Sequence, residues 1–188
     1  MRVSKEKAAE HRASIVTAAG RLFREKGVGG VGVAEITRAA GLTHGGFYGH
    51  FTSKDALAAE ACAQSFRDKI ATLDGAGDLA TFIDQYLSES HLSRRDTGCP
   101  MPALAGEVAR QEAGMGPPFA AGLADYAALL AARLPEGTGD RDQRALSLLS
   151  LLVGAVTLAR AVVDSDLALA KAMLVAANIQ AKALVGAD

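Results

Sequence analysis

Apolar residues recur every three or four positions along almost the whole chain, which is the spacing of helices that bury one face. Glycines and prolines fall between these segments, as expected at helix ends. The pattern predicts helices over residues 7–26, 33–40, 44–51, 53–73, 79–92, 101–112, 118–134, 143–163 and 167–185. No run stands out with the period-two alternation of a strand. We therefore predict an all-α protein.

Residues 33–54 contain two short helical segments separated by a tight corner. Gly41 can adopt the left-handed conformation that ends the first helix. Thr43 is a good N-cap for the second helix, in which Phe47 and Phe51 share one face at a spacing of four. A helix, a glycine-containing turn and a second helix form the plan of a helix-turn-helix motif.

The second of these helices carries polar groups and bare backbone on its outer side. The residues are Thr43, His44, Gly45, Tyr48 and His50. Hydroxyl, imidazole and phenol groups suit contacts with phosphates and base edges, and they form no acid–base pair. Three glycines in this stretch would each cost about 0.8–1 kcal/mol relative to alanine in a helix interior, and close approach to a DNA groove is a reason to keep them. The alternative, a loop with two incidental aromatic residues, leaves the spacing of the phenylalanines unexplained.

The same segment resembles the DNA-binding motif of the tetracycline-repressor (TetR) family of bacterial regulators. The second helix of that motif reads Gly-x-Phe-Tyr-x-His-Phe and is followed by a lysine. The matching residues here are Gly45, Phe47, Tyr48, His50, Phe51 and Lys54. The resemblance extends over residues 10–65. This chain departs from the pattern at Gly49, where many members have a larger side chain, and at Gly32, where a threonine or serine often caps the preceding helix.

The resemblance implies roles for individual residues. His44 and Gly45 would face base edges. The phosphate contacts would come from Thr43, Tyr48, His50 and Lys54. It also implies a C-terminal domain that binds small inducers and dimerises.

A linking helix is predicted over residues 53–73, with Thr52 and Asp55 as its capping box. The chain then divides into a three-helix DNA-binding domain at residues 1–54 and a ligand-binding and dimerisation domain at residues 74–188. The net charge of −1 hides an asymmetry between the two ends. The first 69 residues hold eleven Lys or Arg and seven acidic residues, whereas the rest hold nine and fourteen. A basic end suggests that this part meets a polyanion.

The last two predicted helices are apolar on nearly all sides. One monomer of this size can hardly cover the leucines and valines of residues 146–158, and the final helix has a face of small residues. We predict an intermolecular four-helix bundle, which is also how the family dimerises; the alternative is a central core helix in a monomer. The predicted dimer-interface residues are Leu152, Val156, Ala170, Leu174, Ala177 and Ala181.

A candidate effector pocket lies between the domain joint and this bundle. Its predicted lining is a set of apolar and aromatic residues: Phe82, Tyr86, Leu104, Met115, Phe119, Leu123 and Tyr126. By themselves these residues favour plain core, but the resemblance favours a pocket.

Other chemistry is not indicated. Cys62 and Cys99 are too few and too isolated from histidine for a zinc site, and no cofactor motif or catalytic constellation is present. Cys99 is expected to be a reduced, buried thiol, with an oxidant-responsive thiol as the alternative. The first residues lack a signal peptide, and the most apolar stretch, 145–159, is shorter than the roughly 20 residues that span a bilayer. We therefore expect a cytoplasmic protein with no membrane partner.

These observations predict a homodimeric transcriptional regulator that binds a pseudo-palindromic double-stranded DNA operator. We expect a repressor that a small-molecule effector releases from its operator. The alternatives are a DNA-binding dimer without a ligand response, which would act as an architectural or constitutive regulator, and an enzyme that uses the C-terminal pocket.

Overall fold

The computed structural model describes residues 5–43, 45–110, 114–136 and 139–186. Within these ranges it contains ten helices and no strand, so the predicted all-α class is confirmed. The helices are α1 Lys5–Lys26, α2 Val33–Ala39, α3 Gly45–Tyr48, α4 Lys54–Asp74, α5 Leu79–Tyr86, α6 Glu89–Ser93, α7 Pro100–Val108, α8 Gly116–Arg133, α9 Arg141–Val162 and α10 Leu167–Val185.

The N-terminal part is a small bundle in which α1, α2 and α3 pack together and α4 covers α1. Its interior consists of Ile15, Phe23, Ile36, Phe47, Phe51 and Leu57. Helix α1 ends at residue 26, as predicted, because Gly27 follows with φ of 78° and its N–H bonds to Phe23 O at 2.9 Å. The bundle therefore holds α3 against a buried aromatic base.

The cap of α4 differs from the predicted one. Ser53 is the N-cap, and its hydroxyl accepts a hydrogen bond from Ala56 N at 3.0 Å. The capping box assigned to Thr52 and Asp55 is therefore wrong by one residue. Ser53 and Thr52 offer the same chemistry, and only the backbone decides which of them precedes the helix.

The single helix predicted over residues 79–92 is two helices, α5 and α6. Leu87 leaves the helical conformation with ψ of 23°, and the Ser88 hydroxyl then caps α6 by accepting from His91 N at 3.1 Å. The His91 imidazole contacts Tyr86 O at 2.6 Å and so supplies a partner to the end of α5. This break opens space beside α4 that a continuous helix would fill.

Helix α4 connects the two ends of the molecule. It packs against α1 along its middle and against α8 along its second half. Phe66 of α4 meets Phe119 of α8 edge-on, with ring centroids 5.3 Å apart. Helices α9 and α10 form an antiparallel pair beyond α8, since Arg144 near the start of α9 donates to Leu184 O near the end of α10.

A glycine sets how closely α8 approaches α4. A Cβ at Gly122 would lie 2.3 Å from Cγ and 2.7 Å from Cβ of Phe66. We expect Gly122→Ala to lower the free energy of unfolding by about 1–3 kcal/mol, because the ring cannot move away without shifting a helix. Urea unfolding at fixed protein concentration measures this effect. The control is Gly106→Ala in α7, where the nearest atom lies 3.6 Å from the added Cβ; equal stabilities of the two variants would contradict the close approach.

By length and composition alone, α9 and α10 could each cross a membrane. The prediction that no segment is long enough is therefore wrong on length, since α9 has 22 residues with a mean hydropathy of 2.0 in its most apolar window. Both helices nevertheless pack against each other and against the rest of the domain on one side. Buried residues of α9 face α8 and α10, and Arg160 bonds to the carbonyls of His91 and Leu92.

Candidate nucleic-acid interface and interior cavity

The predicted helix-turn-helix is present in α2 and α3. Gly41 has φ of 73°, as predicted, and the next N–H, of Leu42, bonds to Thr37 O at 2.8 Å. Helix α3 is shorter than predicted, because only residues 45–48 are helical and the chain turns before the buried Phe51. Phe47 and Phe51 stack with ring centroids 5.7 Å apart, which anchors the inner side of α3.

The outer side of α3 faces solvent. Tyr48 is 66% exposed, Thr43 and Gly45 are exposed, and His50 is half-buried. His44, for which a base contact was predicted, lies outside the described residues. A Cβ at Gly45 would meet no atom of the described residues within 4 Å, so no contact among them requires a glycine there. The exposed groups of α3 and its neighbours form a small surface above the buried Phe47 and Phe51 rings.

Lys54 has a role that sequence reasoning missed. Its ammonium donates to Val28 O at 2.9 Å and to Val31 O at 3.2 Å, which ties the start of α4 to the loop between α1 and α2. A lysine has three N–H donors, so one remains for a phosphate. The phosphate contact stays a prediction, and the structural role adds to it.

Arg12 makes contacts within the protein that stabilise the N-terminal bundle. Its guanidinium forms an ion pair with Glu60 of α4 and lies over the Phe51 ring at 4.5 Å from the centroid. The hydrogen bond to Glu60 raises the pKa of Arg12. The His11 and His50 rings meet edge-on at 6.3 Å, so α1 also supports the residues that follow α3.

A cavity of about 620 Å³ lies between α4, α5, α6, α8 and the segment before α7. Three of the seven predicted pocket residues line it, namely Phe82, Tyr86 and Tyr126. The other four do not line it. Leu104, Met115 and Phe119 are buried core residues, and Leu123 packs against the core. They lie outside this cavity because it opens at the α5–α6 break, not between α7 and α8, and their contact with a ligand stays a prediction.

His91 holds one wall of this cavity. Its Nε2 accepts from Cys99 N at 3.0 Å, so Nδ1 carries the proton that is donated to Tyr86 O. Burial lowers the pKa of His91 to about 4, and the nearby charges of Arg160 and Lys69 act in the same direction. The neutral imidazole thus joins the end of α5 to the residues that precede α7.

Both thiols are buried. Burial raises the pKa of Cys62 to about 11 and also raises the pKa of Cys99, which is 2% exposed. The neutral thiol is therefore the favoured form of each. The expectation of a buried Cys99 is confirmed, although this residue lines the cavity.

The six predicted dimer-interface residues lie inside a single chain. Each is at most 5% exposed: Leu152, Val156, Ala170, Leu174, Ala177 and Ala181. They are buried within one chain, where α9 packs against α10 and the rest of the domain, and so have little surface left for an intermolecular contact. The small side chains allow close approach of α9 and α10 within one protomer.

The opposite side of the same two helices is exposed and apolar. We call it the charge-free face, and its residues are Leu146, Leu158, Leu169, Val175, Ala176 and Ile179. Leu158 is 57% exposed, and Val175 and Ile179 are each 60% exposed. The sequence carried a signal for part of this face, because no charged residue occurs between Leu146 and Leu158.

Comparison with known proteins places the N-terminal part in a sequence family. Residues 15–61 match the family described as bacterial regulatory proteins, tetR family. The transcriptional regulators TtgR of Pseudomonas putida and AcrR of Shigella flexneri are 44% and 42% identical over 57 and 59 residues. These segments cover 30% and 31% of this chain and 27% of each regulator.

Solved structures match nearly the whole chain. A TetR transcriptional regulator from Chloroflexus aurantiacus superposes with a TM-score of 0.75 and 25% identity over 96% of each chain. The reduced form of Escherichia coli NemR also gives a TM-score of 0.75, with 22% identity over 92% of this chain and 95% of NemR, and shares the fold. A helix-turn-helix of matching sequence and an all-helical fold of matching extent lead to one conclusion: residues 15–61 belong to the tetR family of bacterial regulatory proteins, and the whole chain has the fold of a TetR transcriptional regulator.

Proposed function

We propose that the protein is a cytoplasmic, homodimeric transcriptional regulator that binds a pseudo-palindromic DNA operator. The observation that supports it most is the surface of α3. Tyr48, Gly45 and Thr43 are exposed there, while Phe47 is buried beneath them. A short helix with a rigid apolar base and a polar outer side suits insertion into a major groove.

The charge-free face supports a second copy of this chain as partner. A patch of large exposed apolar side chains on two adjacent helices is unfavourable in water, at about 25 cal/mol per Å². Pairing of two such faces about a two-fold axis would bury both at once. A rigid dimer would also hold two recognition helices at the roughly 34–36 Å that separate successive major grooves on one side of DNA.

We further propose a repressor whose effector occupies the cavity. Lys69 and Leu73 of α4 line the cavity, and the same helix begins at Lys54 beside the helix-turn-helix. A ligand that fits only one placement of α4 would shift the population towards that placement and so change operator affinity. The alternative is a regulator without a ligand response, and no observation favours an enzyme.

Selection of bound duplexes from a random pool tests the DNA-binding proposal. We expect an enriched inverted repeat, bound more weakly as salt rises because lysine and arginine contacts release counterions. Failure to enrich any motif would contradict the proposal. Binding with no dependence on salt would also contradict it.

Gly45→Ala separates DNA binding from stability. An added methyl group meets no protein atom and favours the helix, so stability should stay equal or rise by up to about 1 kcal/mol. Operator affinity should fall about tenfold, because the backbone can no longer approach the groove as closely. Mobility shift and thermal unfolding measure the two effects.

Gly116→Ala is the matched control. Gly116 is also the first residue of a helix, α8, and a Cβ there would also meet no atom within 4 Å. It should match Gly45→Ala in stability and keep wild-type operator affinity. Equal affinities of the two variants would contradict a DNA contact at Gly45.

A further inference from the structure

The Tyr86 hydroxyl is a buried polar group that lacks a strong hydrogen-bond partner. Tyr86 is 6% exposed and lines the cavity, and within the described part of the chain its Oη has no nitrogen or oxygen partner and lies beside the Cys99 thiol, which is a weak one. Burial raises the pKa of Tyr86, and the neighbouring Cys99 thiol adds to this, so the hydroxyl stays protonated and can donate. A buried hydroxyl whose neighbour is only a thiol is poorly satisfied, and a stronger hydrogen-bond acceptor in the cavity would relieve that cost.

The charges that line the cavity are unbalanced. Lys69 and Arg94 are its cations, and no hydrogen bond or ion pair to another described residue engages either side chain. The one lining carboxylate, Asp84, is occupied by Lys182 at 2.8 Å and by Asn178 at 2.8 Å. A third cation, Arg160, does not line the cavity but donates a hydrogen bond to the carbonyl of His91, which does. The cavity therefore has a positive potential that the protein does not neutralise.

The half-buried Lys69 lies at the inner part of this surface. Burial lowers the pKa of Lys69, because the cost of removing the ammonium from water outweighs the opposing effects of Cys99 and Asp68. Lys69 is also close enough to the Cys99 thiol and the His91 ring to act on both electrostatically. The ammonium and the Tyr86 hydroxyl thus belong to the same end of the cavity, around Cys99.

We propose that the cavity binds an organic monoanion, a carboxylate or sulfonate on an apolar body, whose anionic group meets Lys69 and accepts a hydrogen bond from Tyr86 Oη. Phe82, Leu73 and Tyr126 would pack against the apolar body. A volume of about 620 Å³ lies within the roughly 300–1,000 Å³ of pockets for drug-sized ligands. This inference rests on the proposed function, since it specifies the effector class for that site.

A matched pair of fluorescent probes tests the charge preference on the full chain. The anion is 8-anilinonaphthalene-1-sulfonate, and N-phenyl-1-naphthylamine has the same rings without the sulfonate. We expect the anion to bind at least about tenfold more tightly. Lys69→Met should lower the affinity for the anionic probe by about tenfold and change the affinity for the neutral probe by less than about twofold. Lys69→Arg should restore most of the affinity for the anionic probe. Tyr86→Phe should weaken the anion about threefold or more.

Lys171→Met controls for probe bound elsewhere. Lys171 lies on α10, pairs with Glu89 at 2.8 Å and does not line the cavity. It should leave both affinities unchanged, and circular dichroism melting checks that every variant is folded. Equal binding of the two probes would overturn the proposal. An equal loss of affinity for the anionic probe in Lys69→Met and Lys171→Met would overturn it too.

Operator binding without any probe is measured in parallel. A protein that binds its operator but does not prefer the anion contradicts this inference and leaves the proposed function standing. A protein that prefers the anion but enriches no DNA contradicts the proposed function alone.

Discussion

Ala176→Glu on the charge-free face is expected to convert the proposed dimer to a monomer and to lower operator affinity by about 100-fold or more. Ala176 is exposed and lies beside Leu158 and Gly154 across a shallow groove between α9 and α10. A carboxylate there would be placed in an apolar contact without a partner, which opposes association. Loss of the second half-site removes the gain of about 10²–10⁴ that two linked sites provide.

The control carries the same substitution on another surface. Ala128→Glu changes an exposed alanine of α8 that lies away from this face. It should remain dimeric in sedimentation velocity and keep wild-type operator affinity. A dimer that persists in Ala176→Glu would move the interface elsewhere, and a monomer that binds the full operator as tightly as wild type would disprove the coupling.

Leu174→Glu would be a poor test of dimerisation. Leu174 is 4% exposed within one chain, so a glutamate would be buried in the protomer. Its expected effect is loss of stability by several kcal/mol. Loss of DNA binding in that variant would report unfolding, not separation of subunits.

The second large effect is acid destabilisation through His91. The pKa of this imidazole is about 4 in the folded protein and has an ordinary value of 6.5. A buried base with a lowered pKa stabilises the fold fully above pH 6.5, and this contribution disappears as the pH falls from 6.5 to about 4. At about 1.4 kcal/mol per pKa unit, the loss should reach about 3 kcal/mol near pH 4.

The structure supplies the reason for this loss. Protonated His91 keeps its donor to Tyr86 O but can no longer accept from Cys99 N, and it would bring a charge next to Arg160. Urea unfolding between pH 7 and pH 4 at one protein concentration measures the effect. Asp96 contributes to stability in a lower pH range, because its hydrogen bond with Arg21 lowers the pKa of this carboxyl from 3.8.

His91→Gln is the control, since its amide oxygen can accept from Cys99 N and does not titrate. We expect this variant to be less stable than wild type at pH 7 and to lose much less stability between pH 6.5 and pH 4. A variant that follows the wild-type pH dependence in parallel would rule out His91 as the group responsible.

The sequence predicted best those helices whose bounds depend only on residues within the same segment. Helices α1, α9 and α10 fall within two residues of their predicted bounds, because apolar periodicity and terminal glycines act within one segment. The break between α5 and α6 was missed. It depends on His91, which bonds to the end of α5 and to Cys99 beyond α6.

The candidate sites also differ in whether they depend on one segment or on several distant ones. The exposed positions of α3 were predictable, since Phe47 and Phe51 define the buried side and thereby the outer one. The cavity was only partly predictable, because Lys69 and Cys99 come from distant segments and share no periodic pattern. Lys54 matched the family motif, but its bonds to two loop carbonyls depend on how that loop folds back.

By itself, the sequence determined the helical class, the helix-turn-helix and the presence of an apolar pair of helices at the end of the chain. These features depend on residue type and spacing along one segment. Only the tertiary structure decided which side of α9 and α10 is inside. Both sides are apolar, and the close packing that Ala170, Ala177 and Ala181 permit turns the small-residue side inward and leaves Leu158, Val175 and Ile179 exposed.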